Sequence, residues 1–290
     1  MPESVKKFAD EMLERKPTRL LKQLISELDY LDKEDVDLVK KAYAYASVAH
    51  EHQSRKSGEP YIVHPTGVAS ILADLRLDKA SIAAGLLHDV LEDTVVNEAL
   101  LSKEFGLEVL SLVDGVSKLD QIEHSDIKHH QAESFRKMML AMVKDIRVIL
   151  IKLADRLHNI QTLHALEQGK QIKIAKETLE VYAPIANRLG IYNIKTALEE
   201  GAFKYGYPFR HKVLRSSLKR KLGNQKRILK KISKRISKKL DDDNIDHKIT
   251  AREKDLYSIY TKMKRRRLSL DKIIDVYGFR IIVDSSQECY

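Results

Sequence analysis

Residues 82–93 read IAAGLLHDVLED, an apolar run that ends in the ionisable group His88, Asp89, Glu92 and Asp93. Because the run before His88 is apolar on every side, it predicts a helix that is buried all round. Glu92 lies four residues after His88 and Asp93 follows directly, so a continuous helix would gather these groups on one turn. Charged groups beside a buried helix need a partner, and a bound cation provides one.

Two other segments supply ligands of the same kind, His64 in YIVHP and Asp155 in KLADRLHNIQTL. A single helical histidine is more often structural than a metal ligand. Two imidazoles and two carboxylates without sulfur, however, suit a borderline-to-hard divalent ion such as Mn²⁺, Fe²⁺ or Mg²⁺ better than structural zinc. We therefore predict an open, catalytic metal site formed by His64, His88, Asp89 and Asp155.

The residues after Asp155 continue the helical pattern. Asn159 and Thr162 follow it at four and seven residues, so the three side chains share one stripe behind the apolar run 148–153. The Asn159 amide would read a purine edge, and the Thr162 hydroxyl would add a hydrogen bond. A polar helix face without a ligand is the alternative interpretation of these two residues.

A loop of sequence RKSGEPY occupies residues 55–61. Arg55 offers a planar fork and Lys56 a point charge to a phosphate group, and Ser57 and Tyr61 add hydroxyls. We expect this loop to hold the anionic end of a nucleotide, although surface Arg-Lys pairs are commonly solvated.

The composition is typical of a globular, helix-rich protein, with 43% hydrophobic and 32% charged residues. At 290 residues the chain is long enough for one large domain and a second piece. The only cysteine, Cys289, excludes disulfides and thiolate metal clusters within the chain. Since no apolar stretch is long enough to span a bilayer and no signal peptide is recognisable, we expect a cytoplasmic protein without a membrane partner.

The net charge of +10 is concentrated in the C-terminal third. Residues 1–200 hold 27 Lys and Arg against 32 Asp and Glu, whereas residues 201–290 hold 25 against 10. This asymmetry predicts an anionic partner such as nucleotide phosphate or RNA. A solvated basic helix is the alternative for residues 219–239, and we do not expect nucleic-acid binding to be the main role.

Helical spacing dominates up to about residue 203 and predicts an all-α domain, with breaks at glycines that include Gly106 and Gly115. The polar segment 123–130 is expected to be an exposed connection. Residues 208–243 predict a basic amphipathic helix, and residues 256–263 return to helical spacing.

Residues 273–283 (IIDVYGFRIIV) predict a buried strand. Because no partner strand is recognisable, either the chain is cut inside a second domain or this segment pairs with something else, and we favour the cut.

Together, RKSGEPYIVHP, LLHDVLEDT and IKLADRLHNIQTL resemble the motifs of the HD superfamily in its RelA/SpoT-type branch. Members of this branch are bacterial stringent-response enzymes that make and destroy guanosine tetra- and pentaphosphate (ppGpp and pppGpp). The resemblance continues in order through residues 177–200 to AREKDLYSIYTKM and DVYGFRIIV, so it covers nearly the whole chain.

The resemblance implies Mn²⁺-dependent hydrolysis of the 3′-diphosphate of ppGpp or pppGpp, which yields GDP or GTP and pyrophosphate. It implies that one Mn²⁺ is bound by the four predicted ligands, and that Glu92 and Asp93 orient and deprotonate the attacking water. It also implies that the guanosine and its phosphates are held by Arg55, Lys56, Ser57, Tyr61, Asn159 and Thr162.

For the domain organisation we predict an all-α HD phosphohydrolase domain at residues 1–203 and a basic helical connector at 204–245. Residues 246–290 would be the incomplete start of an α/β nucleotidyltransferase-like synthetase domain. Arg252, Lys254 and Tyr257 match the family motif that meets ATP, but synthesis is not expected because the later synthetase motifs do not occur in this sequence.

Two alternatives stay open. One is another HD-type nucleotide phosphohydrolase, for example an NADPH 2′-phosphatase. The other is a non-catalytic nucleotide sensor or RNA-binding module. For the leading hypothesis we expect a guanine nucleotide substrate and regulatory protein partners.

Overall fold

The computed structural model describes residues 18–120, 144–222, 225–273 and 275–290. It is mainly helical, which confirms the predicted fold class, and it divides into two compact units, one up to Leu198 and one from Glu199 onward. The predicted domain boundaries at residues 203 and 245 stay predictions. The predicted exposed connection at 123–130 lies outside the described residues.

The first unit is built from helices, several of which start at a side-chain cap. Their bounds are α1 Arg19–Ser26, α2 Lys33–Ala49, α3 Val63–Asp74, α4 Lys79–Leu87, α5 Val90–Asp93, α6 Glu98–Asp120, α7 Ile146–Gln161, α8 Gln168–Glu177 and α9 Ala183–Arg188. A 3₁₀ turn follows α7 at Leu163–Ala165, and a π-helical turn at Thr178–Tyr182 joins α8 to α9. The caps of α1, α2, α4 and α7 are Thr18, Asp32, Asp78 and Asp145, whose side chains accept hydrogen bonds from the first turn.

Helix α4 is the centre of this unit, because all of its residues after Lys79 are buried. It packs against α2, α3, α6 and α7, as expected for a helix that is apolar on every side. The packing against α3 is close: a side chain at Gly85 would bring its Cβ to 2.5 Å from Leu72 Cδ1. The predicted all-round burial of this helix is therefore confirmed.

The predicted continuous helix through residues 82–93 is wrong. Helix α4 ends at Leu87, and the short helix α5 starts at Val90. The Gly85 carbonyl, which would accept the Asp89 amide in a continuous helix, accepts a hydrogen bond from the His88 ring at 2.9 Å. A side chain that competes for a backbone acceptor interrupts the helix at the two residues that carry the motif.

The two glycines of α6 behave differently. Gly106 has φ +83°, and α6 kinks there, which confirms the predicted break. The predicted break at Gly115 is wrong, because Gly115 lies inside α6. Its role is steric: a Cβ at this position would lie 2.8 Å from Val148 Cγ2 of α7.

From Tyr192 onward the elements are α10 Tyr192–Gly206, α11 Pro208–Leu222, α12 Gln225–Asp242, β1 Lys248–Glu253, α13 Leu256–Arg266, β2 Tyr277–Ile282 and α14 Ser286–Cys289. The second unit has its own apolar core, formed by Phe203, Leu214, Leu218, Ile259, Ile273 and Val276. No helix among the described residues is both long and apolar enough to cross a membrane.

The prediction of a buried strand without a partner at residues 273–283 is wrong about the partner, and it is right about burial only at Ile273 and Val276, which lie before the strand begins. Strand β2 pairs antiparallel with β1, with Lys248 opposite Ile282 and Glu253 opposite Tyr277. The side chain of Ile282 is 52% exposed. Strand β1 reads KITARE, and its mixed polarity carries no strand pattern that would have identified it as the partner.

The Gly115 contact predicts a stability effect. Gly115→Ala is expected to lower the free energy of unfolding by about 1–3 kcal/mol, because the new methyl group meets a β-branched side chain that has little freedom to move. Urea unfolding measures the change. Gly169→Ala is the matched control, since a Cβ in the first turn of α8 meets nothing within 4 Å. Equal stability of the two variants would contradict the steric role of Gly115.

Candidate active site

Three of the four predicted metal ligands form one buried cluster. His64 lies in the first turn of α3, where the following Pro65 is tolerated because its position needs no amide hydrogen. His88 directly follows α4, and Asp155 lies in α7. One ligand atom from each of His64, His88 and Asp155 lies within 4.8 Å of the others.

The fourth predicted ligand, Asp89, lies beside this cluster. Its Oδ1 is 3.1 Å from His88 Nε2, and its Oδ2 is 3.7 Å from His64 Nε2. Asp155 Oδ1 faces the same two nitrogens, at 3.2 Å from His64 Nε2 and 3.8 Å from His88 Nε2. The Nε2 atoms of both imidazoles therefore face both carboxylates, and the structure brings all four predicted ligands together.

The hydrogen bonding of His88 fits a metal ligand. Its Nδ1 lies 2.9 Å from the Gly85 carbonyl oxygen, which only accepts, so the proton of a neutral ring is at Nδ1. Its Nε2 is buried and makes no hydrogen bond to any described residue, despite the short distance to Asp89. A bare, buried Nε2 whose ring is oriented by a backbone carbonyl is the usual arrangement of a metal-bound histidine. The cluster is thus a candidate site for a divalent cation.

Burial and neighbouring charge act against each other in this cluster. Burial by itself raises the pKa of Asp155, but the Lys152 ammonium, together with His64 and His88, holds that pKa well below its usual range. Burial also raises the pKa of Asp89, but the two histidines bring that pKa below its ordinary value. Burial opposes protonation of His88, but Asp89 and Asp155 raise its pKa above the ordinary value. Both carboxylates are therefore ionised and attract a positive charge.

Tyr61 was predicted to contact substrate, and the structure places its hydroxyl between two carboxylates. The hydroxyl is a donor 2.7 Å from Asp89 Oδ2 and 2.9 Å from Asp93 Oδ2. Burial and these carboxylates raise the pKa of Tyr61 far above its ordinary value, so the hydroxyl keeps its proton. The ring stacks on His50 with centroids 4.4 Å apart. Tyr61 therefore links the predicted ligand Asp89 to Asp93 of the predicted catalytic pair.

That predicted pair, Glu92 and Asp93, lies on the short helix α5 and is exposed to solvent. The backbone of Asp93 is fixed by two hydrogen bonds: its amide donates to the Asp89 carbonyl at 2.9 Å, and its carbonyl accepts from Gln53 Nε2 at 2.6 Å. Asp93 thus combines a fixed position with access to water.

Arg55 and Asn159, both predicted substrate contacts, are joined in the structure. Arg55 Nη2 donates to Asn159 Oδ1 at 2.9 Å, and Asn159 Nδ2 donates to Asp155 Oδ1 at 2.7 Å. Arg55 of the loop is thereby connected to Asp155 of the cluster through the side-chain amide of Asn159. Arg55 Nη1 is buried and makes no hydrogen bond to any described residue, so it keeps donors for a ligand.

The other three predicted substrate residues are less engaged with the cluster. Lys56 and Ser57 are exposed, and the Ser57 hydroxyl donates to Glu59 Oε2 at 3.0 Å. Thr162 directly follows α7, and its hydroxyl donates to the His158 carbonyl of that helix at 3.1 Å. Its oxygen can still accept a hydrogen bond from a ligand.

A family model described as the HD domain matches residues 42–192, slightly more than half of the chain and including every predicted site residue. The chain belongs to the HD-domain family. A second model, described as a region found in RelA/SpoT proteins, matches residues 251–290 of this HD-domain protein.

Curated relatives share much of this sequence. A Vibrio cholerae protein named guanosine-3′,5′-bis(diphosphate) 3′-pyrophosphohydrolase is 50% identical over 90% of this chain and 37% of its own length. An Escherichia coli protein named bifunctional (p)ppGpp synthase/hydrolase SpoT is 49% identical over 93% of this chain and 38% of its own length. A solved structure described as a metazoan ortholog of SpoT is 29% identical over 58% of this chain and 94% of its own, with a TM-score of 0.43. The chain spans less than two fifths of the length of the two curated relatives.

Sequence reasoning missed Lys152 of this HD domain. Its side chain is buried, and Nζ lies 2.9 Å from Asp155 Oδ2. Lys152 interrupts the otherwise apolar run 148–153, three residues before Asp155. A lysine on the buried face of an apolar helix is a signal that could have identified it, because such a charge requires a carboxylate partner.

The Lys152 contact predicts a stability effect that depends on metal. Lys152→Met is expected to lower the free energy of unfolding by about 3 kcal/mol in cation-free buffer, because the Asp155 carboxylate stays buried without its nearest positive charge. Added Mn²⁺ should recover much of this loss by replacing that charge. Urea unfolding with EDTA and with Mn²⁺ measures both effects.

Lys118→Met is the control, because Lys118 forms an exposed pair with Asp114, and we expect little change in either buffer. If Lys152→Met lost the same stability with and without Mn²⁺, charge compensation at Asp155 would be wrong.

Proposed function

We propose that this chain hydrolyses the 3′-diphosphate of ppGpp and pppGpp in a Mn²⁺-dependent reaction that releases pyrophosphate and leaves GDP or GTP. The observation that carries the proposal is the cluster of His64, His88, Asp89 and Asp155, linked through the Tyr61 hydroxyl to the exposed carboxylate of Asp93. The substrate class is supported by relatives named pyrophosphohydrolases at 49–50% identity. Because the chain spans less than two fifths of their length, its activity, its substrate and its place in alarmone control are all part of the proposal.

The four clustered ligands would hold the cation. When bound, a divalent ion acidifies water and offsets negative charge that develops on phosphoryl oxygens. The donor set of two imidazoles and two carboxylates, without sulfur, supports Mn²⁺ as the ion. The buried Nε2 of His88, which makes no hydrogen bond to a described residue, supports its role as a ligand.

Proton transfer from the attacking water would fall to Asp93, assisted by Glu92. Asp93 is exposed to solvent, while its backbone is fixed at both the amide and the carbonyl. The Tyr61 hydroxyl has one proton and two carboxylate neighbours, so it donates to one of them at a time. While Tyr61 donates to Asp89, Asp93 is available as the general base.

The loop at residues 55–61 would bind the anionic part of the substrate. Arg55 is held towards the cluster by Asn159, and its Nη1 keeps donors for a phosphate oxygen or a guanine edge. Lys56 and Ser57 are exposed beside it and would contact the phosphates. Asn159 of α7 and Thr162, which directly follows α7, would contact the nucleoside.

Residues 246–290 are proposed as the start of a synthetase domain, and residues 204–245 as a basic connector. The match of residues 251–290 to a region found in RelA/SpoT proteins supports this assignment. Lys254, from the motif that resembles an ATP contact, pairs with Asp275 at 3.1 Å.

The role of Asp93 predicts a catalytic defect. Asp93→Asn should lower kcat for pyrophosphate release from ppGpp by about 10²- to 10⁴-fold, because the amide still accepts from Tyr61 but cannot take a proton. Steady-state assays with Mn²⁺ measure the effect. Asp114→Asn, at an exposed ion pair on α6, is the matched control and should keep the native kcat.

The same assay separates the alternatives. Native kcat in Asp93→Asn would refute the role of Asp93. A native chain that releases no pyrophosphate from ppGpp with Mn²⁺ would overturn the proposed activity. In that case phosphate release from NADPH would favour the 2′-phosphatase, and ppGpp binding without turnover would favour a sensor.

A further inference from the structure

His158 lies against the metal cluster without being one of its ligands. It follows Asp155 by three residues on α7 and is buried. Its Nδ1 is 2.9 Å from Nδ1 of His64, and the two ring centroids are 4.9 Å apart. The predicted ligand Asp155 and the neighbouring His158 therefore come from the same helix, α7.

The contact between the two rings restricts where their protons lie. Two nitrogens at 2.9 Å form a hydrogen bond only if one carries a proton and the other presents a lone pair. His64 Nε2 faces Asp155 Oδ1 and Asp89 Oδ2, so it is the nitrogen that points into the cluster. To bind a cation, Nε2 must be bare, and the proton of a neutral His64 ring must then be on Nδ1. His64 would consequently donate, and His158 Nδ1 would accept.

We propose that His158 is a positioning residue that accepts the hydrogen bond from His64 Nδ1 and so holds His64 in its metal-binding tautomer. The inference rests on the metal site of the proposed function and adds a residue to it. If His158 donated instead, the proton of a neutral His64 ring would be on Nε2. It would then face Asp155 Oδ1, where a cation would otherwise bind. The direction of this one hydrogen bond therefore determines whether His64 binds a cation.

The backbone of α3 makes room for this contact at Gly67. A Cβ on Gly67 would lie 2.2 Å from His158 Cδ2 and 2.3 Å from His158 Nε2. Since real Cβ contacts are never that short, any larger residue at 67 would displace the His158 ring. Gly67 lies one helical turn after His64, and the His158 ring packs against the helix backbone at this glycine.

The first experiment measures Mn²⁺ affinity by isothermal titration of the 290-residue chain. His158→Leu removes the acceptor and should raise the Kd about 10- to 100-fold. His158→Asn keeps an acceptor at the position of Nδ1 and should stay within a few-fold of the native Kd. His164→Leu, at an exposed histidine in the following 3₁₀ turn, is the control and should leave the Kd unchanged.

A native Kd in His158→Leu would overturn the inference, and so would equal losses in His158→Leu and His158→Asn. If the native chain itself bound no Mn²⁺, the metal site of the proposed function would fall as well. If the native chain bound Mn²⁺ but did not hydrolyse ppGpp, the proposed function would be wrong and the inference about His158 would not be affected.

The second experiment needs no variant, so it stands even if His158→Leu does not fold. Nitrogen-15 NMR of the native chain with Zn²⁺, a diamagnetic probe, assigns the protonated nitrogen of each imidazole. We expect a proton on Nδ1 of His64 and on Nε2 of His158. A proton on Nδ1 of His158 in the Zn²⁺-loaded protein would overturn the inference.

Discussion

The burial of the Asp155 carboxylate is the constraint on which the rest of the site depends. An ionised carboxylate inside a helical core is strongly unfavourable unless positive charge and hydrogen-bond donors surround it. Lys152 and Asn159 supply donors from the same helix, and His64 approaches from α3. Because His64 comes from α3, α3 and α7 must meet in one arrangement for the carboxylate to have all of these partners. Folding of these helices and assembly of the site therefore both depend on compensation of the Asp155 charge.

Small residues allow the helices to meet this closely. Gly85 of α4 faces Leu72, Gly115 of α6 faces Val148, and Gly67 of α3 faces His158, each at a distance that leaves no room for a Cβ. Close-packed helices resist small displacements, since any shift creates overlap on one side and a cavity on the other. The positions of the predicted ligands are therefore set by close helix packing at these glycines as well as by their own hydrogen bonds. This rigidity favours a site whose geometry is formed before any ligand binds.

Sequence patterns predict the apolar helices and the groups of side chains at their ends, because helical periodicity and burial are local properties. They fail where a side chain competes with the backbone, as when the His88 ring bonds to the Gly85 carbonyl and ends α4. They also fail where the partner is distant in sequence. The Tyr61 hydroxyl reaches Asp89 across 28 residues, and the His158 ring reaches His64 across 94. Strand β1 is not predicted for a related reason. Its pairing with β2 rests on backbone hydrogen bonds, and its mixed polar and apolar side chains form no pattern that indicates a strand.

The two histidines of the cluster have opposite electrostatic environments, and this difference bears on how a cation would enter. Burial lowers the pKa of His64, whereas Asp89 and Asp155 raise that of His88 despite its burial. When both imidazoles are neutral, the two ionised carboxylates and the Lys152 ammonium give the cluster one net negative charge. A bound divalent cation would change this to one net positive charge. A phosphate-bearing ligand would then be attracted to the loaded site more strongly than to the metal-free one, because the sign of the local field differs. Binding of the metal and binding of an anionic substrate would in this way be coupled through the charge of the cluster.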